Sequence, residues 1–506
     1  MFFTLDISLL CVYIYIIFFK NLLQIKIRKD ITETKGVFAM KNTYSFLAAA
    51  AAGLLLTGCI TEKTPLAISR GTFSEIKKEE HQTLPEGIKT LSLQDARQIA
   101  LKNNPSFQSM RYAIAAADAQ FKKAITAYMP TVNFTYSLSR SHNWTQNPDA
   151  GVSGRGLSSK PGISASWVAF DSLQREMNIL AAQHDLRGVE ASEQDARRLL
   201  LRAVAYAYNE VMLANAQIRI AKANMKFNYA LLKETELKFE AGASPLSDAL
   251  NFKVNYNSAE SSRYSAEYAA TAAKLALAQL LGLTEGIIPD SIEFPTMPSP
   301  DGEMLKNIDY YLDLALQNRP DLKQYREAYE SAKYSYYSTI GAFGPTVTLN
   351  MALSYTHSRN RNHDQWHRDT GSVSKPRSFG MNYGVNVNWE LFSGGRRYFT
   401  MRAAEAGVTR AEYSVANTWI AVITDVRTAY ENYQTNLKLV KLNQKNLELV
   451  RKQRDLVDRE YKAGSTGITR LNEAQTALID AENALVKAVI NMNNAKAQLD
   501  AATNSL

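Results

Sequence analysis

The strongest constraint on this chain of 506 residues is a duplication. Two stretches, from about Asp171 to Leu281 and from about Ser393 to Thr503, each read as a long helix, a glycine turn and a returning helix. The second turn, at Gly464, follows the first, at Gly242, by 222 residues. In the first long arm Leu201, Val204, Tyr208, Val211, Asn215, Ile218, Lys222, Met225, Tyr229, Leu232, Glu236 and Phe239 succeed one another at alternating steps of three and four, the spacing of a coiled-coil seam. The same offset lands on Ile423, Val426, Tyr430, Tyr433, Leu437, Val440, Gln444, Leu447, Arg451, Arg454, Asp458 and Tyr461, a second seam that turns polar towards its end. So long a period marks one architectural unit used twice. An arm of about 70 residues spans roughly 100 Å at ~1.5 Å per residue, far more than a globular domain needs. Any elongated coiled-coil protein could carry such a seam, so the segments that precede the hairpins decide what they serve.

Those segments are duplicated too. Ala100-Leu101-Lys102-Asn103-Asn104-Pro105 matches Ala315-Leu316-Gln317-Asn318-Arg319-Pro320, and Pro130-Thr131-Val132 matches Pro345-Thr346-Val347, both at an offset of 215. The change from 215 to 222 leaves seven extra residues in the second copy between the Pro-Thr-Val segment and the long arm, where surface loops vary in length. There the hydrophobic period falls to two. Val132, Phe134, Tyr136 and Leu138 alternate with Thr and Asn or Ser; Val347, Leu349, Met351, Leu353 and Tyr355 do the same; and Phe379, Met381, Tyr383, Val385, Val387, Trp389 and Leu391 alternate with Gly, Asn and Glu390. A fourth strand, Ile163 to Phe170, sets Trp167 against Ser164 and Ser166. One such segment would suit a soluble half-buried sheet, but four with small polar residues on one face and apolar residues on the other suit a transmembrane β-barrel with a wet lumen. Four strands cannot close a barrel, and an open edge in lipid leaves peptide groups unpaired, so the chain must oligomerise. A dimer gives about eight strands and a filled interior, whereas a trimer gives about twelve and leaves a passage. Arg140 to Pro161 and His357 to Ser378 read as long polar extracellular loops. His357, His363 and His367 share the second loop with no Cys beside them and read as solvent-exposed polar residues rather than metal ligands.

The formal charge of +9 invites a nucleic-acid partner. The signs are interspersed along the helices and no recognition motif is present, so nucleic acid is set aside. From Met40 the chain reads as a secretory signal: Lys41, an apolar run Phe46 to Leu56, then Leu56-Thr57-Gly58-Cys59. Ile7 to Phe19 is apolar but short for a membrane helix, and Met40 is read as the true start, with residues 1–39 a leader. The only other cysteine is Cys11, so the mature chain is expected to lack a free thiol and a disulfide. Gly151 to Gly156 lacks the Lys-Ser/Thr of a phosphate loop, and Ser393-Gly394-Gly395 is a strand-to-helix junction, so no enzyme, metal or cofactor is expected.

The Ala-Leu-x-Asn-x-Pro and Pro-Thr-Val pairs, Leu391-Phe392-Ser393-Gly394-Gly395, and the tips Phe239-Glu240-Ala241-Gly242 and Tyr461-Lys462-Ala463-Gly464 together resemble the TolC-like outer membrane efflux proteins over residues 60–506. Leu56-Thr57-Gly58-Cys59 resembles the lipobox of bacterial lipoproteins, which implies cleavage before Cys59 and its lipidation; Ile60, rather than Asp, favours the outer membrane. The resemblance implies an α+β membrane protein: a homotrimer in which four β-strands per chain form a twelve-stranded barrel, continued by an α-barrel of antiparallel helical hairpins across the periplasm. It also implies docking by the tips onto a periplasmic adaptor and an inner-membrane pump, of RND or ABC type. The tip residues are Gly242, Ser244, Pro245, Gly464, Thr466 and Gly467, with Ser244 expected as N-cap and Pro245 in the first turn. Family members often carry an acidic residue six positions past each tip glycine. Here these are Asp248 and Arg470, with Glu473 three positions on, so an acidic ring gives way to a mixed lock or to ordinary solvated charges.

The expected organisation is thus a leader at 1–39, a signal at 40–58 and a lipid-anchored wrapping tether at 59–90. A first repeat follows at 91–282, with a β-hairpin at 131–170 and a helical hairpin at 171–281, then a Pro-rich linker at 283–303. The second repeat is 304–506, with a β-hairpin at 346–392 and a helical hairpin at 393–503. The function expected is a passive outer-membrane exit duct for drugs or other small molecules, the alternatives being the duct of a type I protein secretion system and a non-conducting structural or adhesive coiled-coil lipoprotein. The leader is checked by mass spectrometry of the unprocessed precursor: no peptide from residues 1 to 39 is expected, and finding one overturns Met40 as the start.

Overall fold

The computed structural model describes residues 89–147, 150–295, 305–364 and 372–505. Cys59, its signal and the leader lie outside them, as does most of the tether. The order of elements repeats once. Two short helices, α1 (Leu93–Asn103) and α2 (Pro105–Ile125), lead through a 3-10 turn into β1 (Thr131–Asn147) and β2 (Ala150–Phe170), then the long α3 (Gln174–Glu240) and returning α4 (Leu246–Leu280). The second copy runs α5 (Ile308–Asn318), α6 (Pro320–Gly341), β3 (Thr346–Asp364), β4 (Ser372–Ser374), β5 (Arg377–Asn388), α7 (Arg396–Lys462) and α8 (Ile468–Ala502). Both long arms have 67 residues and both returning helices 35.

Local chemistry sets the boundaries. Ser92 and Asp95 form a capping box at the start of α1. Asn104 then ends α1 and starts α2: its Oδ1 accepts from Phe107 N at 3.1 Å, its Nδ2 donates to Leu280 O at 2.9 Å, and Pro105 opens the helix. At the equivalent place in the second copy, buried Arg319 pairs with Asp321 at 2.6 Å and Asp425 at 3.1 Å. Burial alone would lower the Arg319 pKa, but the two carboxylates outweigh it and raise it.

The upper core gathers Leu91, Ala96, Ile99, Val204, Tyr208, Val211, Leu277 and Leu281. Tyr208 Oη donates to Leu91 O at 2.9 Å, and burial, helped by the charge of Asp95, pushes this phenol up to about 12. The linker joins here. Thr90 bridges Glu293, Leu91 N donates to Glu293 O at 3.0 Å, and Ile288 and Ile292 enter the core. In the second copy the most buried line on α7 is Val422, Val426, Ala429, Tyr433, Asn436 and Val440, displaced by one residue at Val422, Ala429 and Asn436 from the expected Ile423, Tyr430 and Leu437. This helix packs on α5 and α6 as well as α8, which turns its buried face away from a two-helix seam.

Towards the tips the expected seam thins. Tyr229 and Phe239 are exposed, and the polar positions Lys222 and Arg451 reach across their hairpins to Glu267 at 3.8 Å and Glu482 at 3.2 Å. A small core remains where all four long helices meet: Leu231 and Leu232 of α3, Phe252 of α4, Val457 of α7, and Leu471 and Ala474 of α8. Phe252 is fully buried. Phe252→Ala should destabilise the tip region by about 3–5 kcal/mol. Hydrogen exchange should therefore accelerate at least ~100-fold at residues 228–240 and 468–476, with the upper core unchanged.

Candidate functional site

The strands form one antiparallel sheet in the order β1-β2-β3-β5, with β4 an added segment beside β3. The register stacks the alternation of each strand into common faces. Val132, Ala165, Met351 and Tyr383 form one row, and Phe134, Ile163, Leu353 and Met381 the next. On the reverse face Asn133, Ser164, Ala352 and Asn382 align, followed by Thr135, Gly162, Ser354 and Gly380. The apolar face is uncovered: Phe134 is 61% exposed, Val385 66% and Tyr383 81%. In water so broad an apolar surface would be a strong drive to associate; against acyl chains it needs no cover. Among the described residues the edges are uncovered as well, since there β1 pairs only with β2 and β5 only with β3.

The strands are longer than expected. Arg140 to Pro161, expected as a loop, is mostly paired strand, with Arg140 opposite Leu157 and His142 opposite Arg155. Most of His357 to Asp364 likewise continues β3 against β2. Alternating polarity marks a strand only where one face is apolar, and these extensions are polar on both faces. β5 ends at Asn388, so Trp389 and Leu391, expected in that strand, lie past it. Among the described residues no cluster of His, Cys, Asp or Glu comes together to hold a metal; the side chains of His363 and His367 lie outside them.

Each strand passes into its long helix through the same clamp. Trp167 Nε1 donates to Tyr128 O at 2.9 Å, and Trp389 Nε1 donates to Phe343 O at 2.9 Å. Arg175 Nη1 donates to Val168 O at 2.8 Å, and Arg397 makes the equivalent bond to Glu390 O while its other nitrogen pairs with the Glu390 carboxylate at 2.8 Å. Asp171 Oδ2 and Ser393 Oγ accept from the first-turn amides of Arg175 and Arg397. The reversal itself uses left-handed backbone, at Ser172 and Leu173 in one copy and Gly394 and Gly395 in the other. Gly341 and Gly344 are needed opposite the first: a Cβ on Gly344 would stand 2.1 Å from Ser172 Oγ. Neither arginine stands out by motif or composition. The signal that could have found them is identity at the 222-residue offset, which they share with Trp167 and Trp389.

At the tips, Gly242 (φ 72°) and Gly464 (φ 75°) end their helices in left-handed conformation, and Ala243 N and Ser465 N reach back to Lys238 O and Glu460 O. Pro245 and Gly467 hold equivalent extended positions as N-caps of the returning helices, without a side-chain cap. Ser244 is therefore not the N-cap expected of it: Pro245 occupies that place, and the Ser244 hydroxyl donates to Asp248 Oδ2 at 3.2 Å. Thr466 lies in the second tip turn, half-exposed. Arg470 stands 3.9 Å from Glu460, and no bond within one chain joins Asp248, Arg470 and Glu473 to each other.

The profile of the outer membrane efflux proteins matches residues 96–283 and again 311–505, one match per repeat. The chain belongs to this family. Among similar efflux-family sequences are the alkaline protease secretion protein AprF of Pseudomonas aeruginosa, 24% identical over 82% of this chain and 83% of AprF, and the outer membrane protein TolC of Vibrio cholerae, 21% identical over 80% of this chain and 89% of TolC. A solved structure of CusC superposes with a TM-score of 0.69 at 18% identity, covering 84% of this chain and 96% of that one. The fold is thus that of the efflux channels, and the family places the chain in the bacterial outer membrane. Arg397→Ala would leave the Glu390 carbonyl without its donor and the carboxylate with Arg396 alone, 2.9 Å away, and should cost about 1.5–3 kcal/mol, measured as a lower melting temperature of the detergent-extracted protein; an unchanged melting temperature would rule out a clamping role.

Proposed function

We propose that three copies of this chain form the outer-membrane exit duct of a tripartite export system, conducting drugs or other small molecules passively to the exterior. The observation that carries the reading is the sheet, apolar and uncovered on one face, polar on the other and open at both edges. Joining β1 of one copy to β5 of the next satisfies the open ladders, which in lipid would cost several kcal/mol per unpaired group. Three copies of the four main strands supply about twelve strands and leave a passage, whereas two copies supply about eight and leave a filled interior.

The helices support the same operation. Among the described residues the four long helices of one chain lie in the order α4-α3-α8-α7, so α4 and α7 are the outer two, α7 being covered in part by α5 and α6. Leu250, Val254, Tyr264, Tyr268 and Leu275 are exposed along α4, and Leu439, Leu442, Leu449 and Leu456 along α7. Both stripes keep steps built of threes and fours, as partner seams do. The same neighbour that closes the sheet would close this seam. Membership of the family supports tripartite partners; in this proposal a periplasmic adaptor docks at the tips and an inner-membrane pump of RND or ABC type supplies energy. Lipidation of Cys59 would anchor each copy. A second reading, protein export through the same duct, is supported by the likeness to a protease secretion protein.

Asp248, Arg470 and Glu473 flank the tips, where the duct would narrow, and an inter-copy lock among them is part of this proposal. The protein should form channels in planar bilayers, and a purified protein that inserts without conducting would overturn the duct. Arg470→Glu should raise single-channel conductance at least about twofold by turning an ion pair into repulsion; unchanged conductance would remove the lock while leaving the duct.

A further inference from the structure

Beyond the apolar band, the outward face of the sheet changes character within one row. Leu138 and Ser159 share their row with His357, which pairs with Arg377. The next row sets Arg140, Leu157 and Arg359 side by side, and the one after it His142, Arg155 and Arg361. Because directly paired residues point to the same face, all these cations fall on the face that carries Phe134 and Tyr383, not on the polar one. The five arginines are exposed, and none has an ion pair or side-chain hydrogen bond among the described residues. Arg155 and Arg361 face each other across β2 and β3, where Cβ atoms stand about 4.5–5.5 Å apart and like charges repel. The only carboxylate in the sequence of the five strands is Asp364, at the far end of β3.

We propose that this belt docks phosphate groups borne by lipids of the outer leaflet. The position argues for it. From Val347 to Tyr355 the apolar face runs about 27 Å along the strand at ~3.4 Å per residue, and the other end is marked by exposed Trp167, Phe170, Trp389 and Phe392, an aromatic belt of the kind that sits at a membrane interface. The cations therefore stand at headgroup level on the far side. The chemistry argues for it too. Two facing guanidinium groups are repulsive alone and form a fork for a phosphate, each able to donate two parallel hydrogen bonds. Headgroup phosphates held beside acyl chains match a cationic row continuous with an apolar band, a combination that a soluble anion does not need.

The inference rests on the outward face being the lipid face, so the test separates the two. Trimer in detergent would be titrated with a bisphosphorylated glycolipid and with the same lipid dephosphorylated, and bound lipid counted by native mass spectrometry. The wild-type protein should prefer the phosphorylated lipid. R155Q/R361Q should weaken its binding about fivefold for each guanidinium removed, roughly 25-fold together, and K160Q, on the opposite face of β2, should leave it unchanged. R359Q/R377Q carries the same expectation if the first pair of changes prevents assembly. Equal binding by wild type and by variants that still insert and conduct would overturn the belt and leave the barrel standing. Full displacement of the glycolipid by inorganic phosphate would also overturn it, as an ion site only. A wild-type protein that neither inserts nor conducts would instead overturn the barrel beneath it.

Discussion

Everything above the helices depends on the peptide groups along the free edges of β1 and β5. Inside the sheet each strand is satisfied by a neighbour, but at its margins a row of N–H and C=O groups has no ladder partner among the described residues. Water would satisfy them; hydrocarbon would not. The sheet's own apolar face disfavours the first environment, which is why the duct proposed above joins copies edge to edge. In that duct the exposed seams on α4 and α7 extend the join along the length of the helices, and one contact between neighbours makes both.

The duplication explains how so long a structure is held together with little core. Its buried clusters are local: one under α1 and the linker, one under α5 and α6, and one near the tips. Between them the helices rely on small residues and polar pairs such as Asn209 with Asn494 at 2.8 Å and Asn224 with Gln475 at 3.3 Å. The strand-to-helix clamp was solved once and copied, with Trp, Arg and a capping acceptor at equivalent positions. The copies diverge in the capping acceptor, Asp171 or Ser393, in Glu390 standing where Val168 stands, and where backbone conformation is demanding. Glycines take the left-handed turn in the second, whereas Ser172 and Leu173 take it in the first at about 1–3 kcal/mol each, with the Ser172 hydroxyl donating to Pro345 O.

The long hairpins, both tip glycines, the Asn-Pro helix breaks and the apolar rows of all four strands were legible because each rests on a local rule: a period of 3.5, a period of 2, or a residue with restricted φ. The strand extensions past Leu138 and before Ile163 were not, because ladder pairing there depends on a partner strand rather than on amphipathic contrast. Ser244 was misassigned for a similar reason. It has the right chemistry for a cap, but the chain places Pro245 at that position and directs the hydroxyl to Asp248.

The sequence by itself determined the repeat, the element types and the two-faced character of the strands, since these follow from residue spacing along one chain. Only the tertiary structure decided which faces coincide. It set Arg155 against Arg361, turned the buried line of α7 towards Val422, brought Arg175 and Arg397 back onto the strand carbonyls, and left β1, β5, α4 and α7 as the outer margins. These are relations between residues far apart in the chain. Their energies depend on which neighbour packing supplies, and no periodicity along a single segment encodes that.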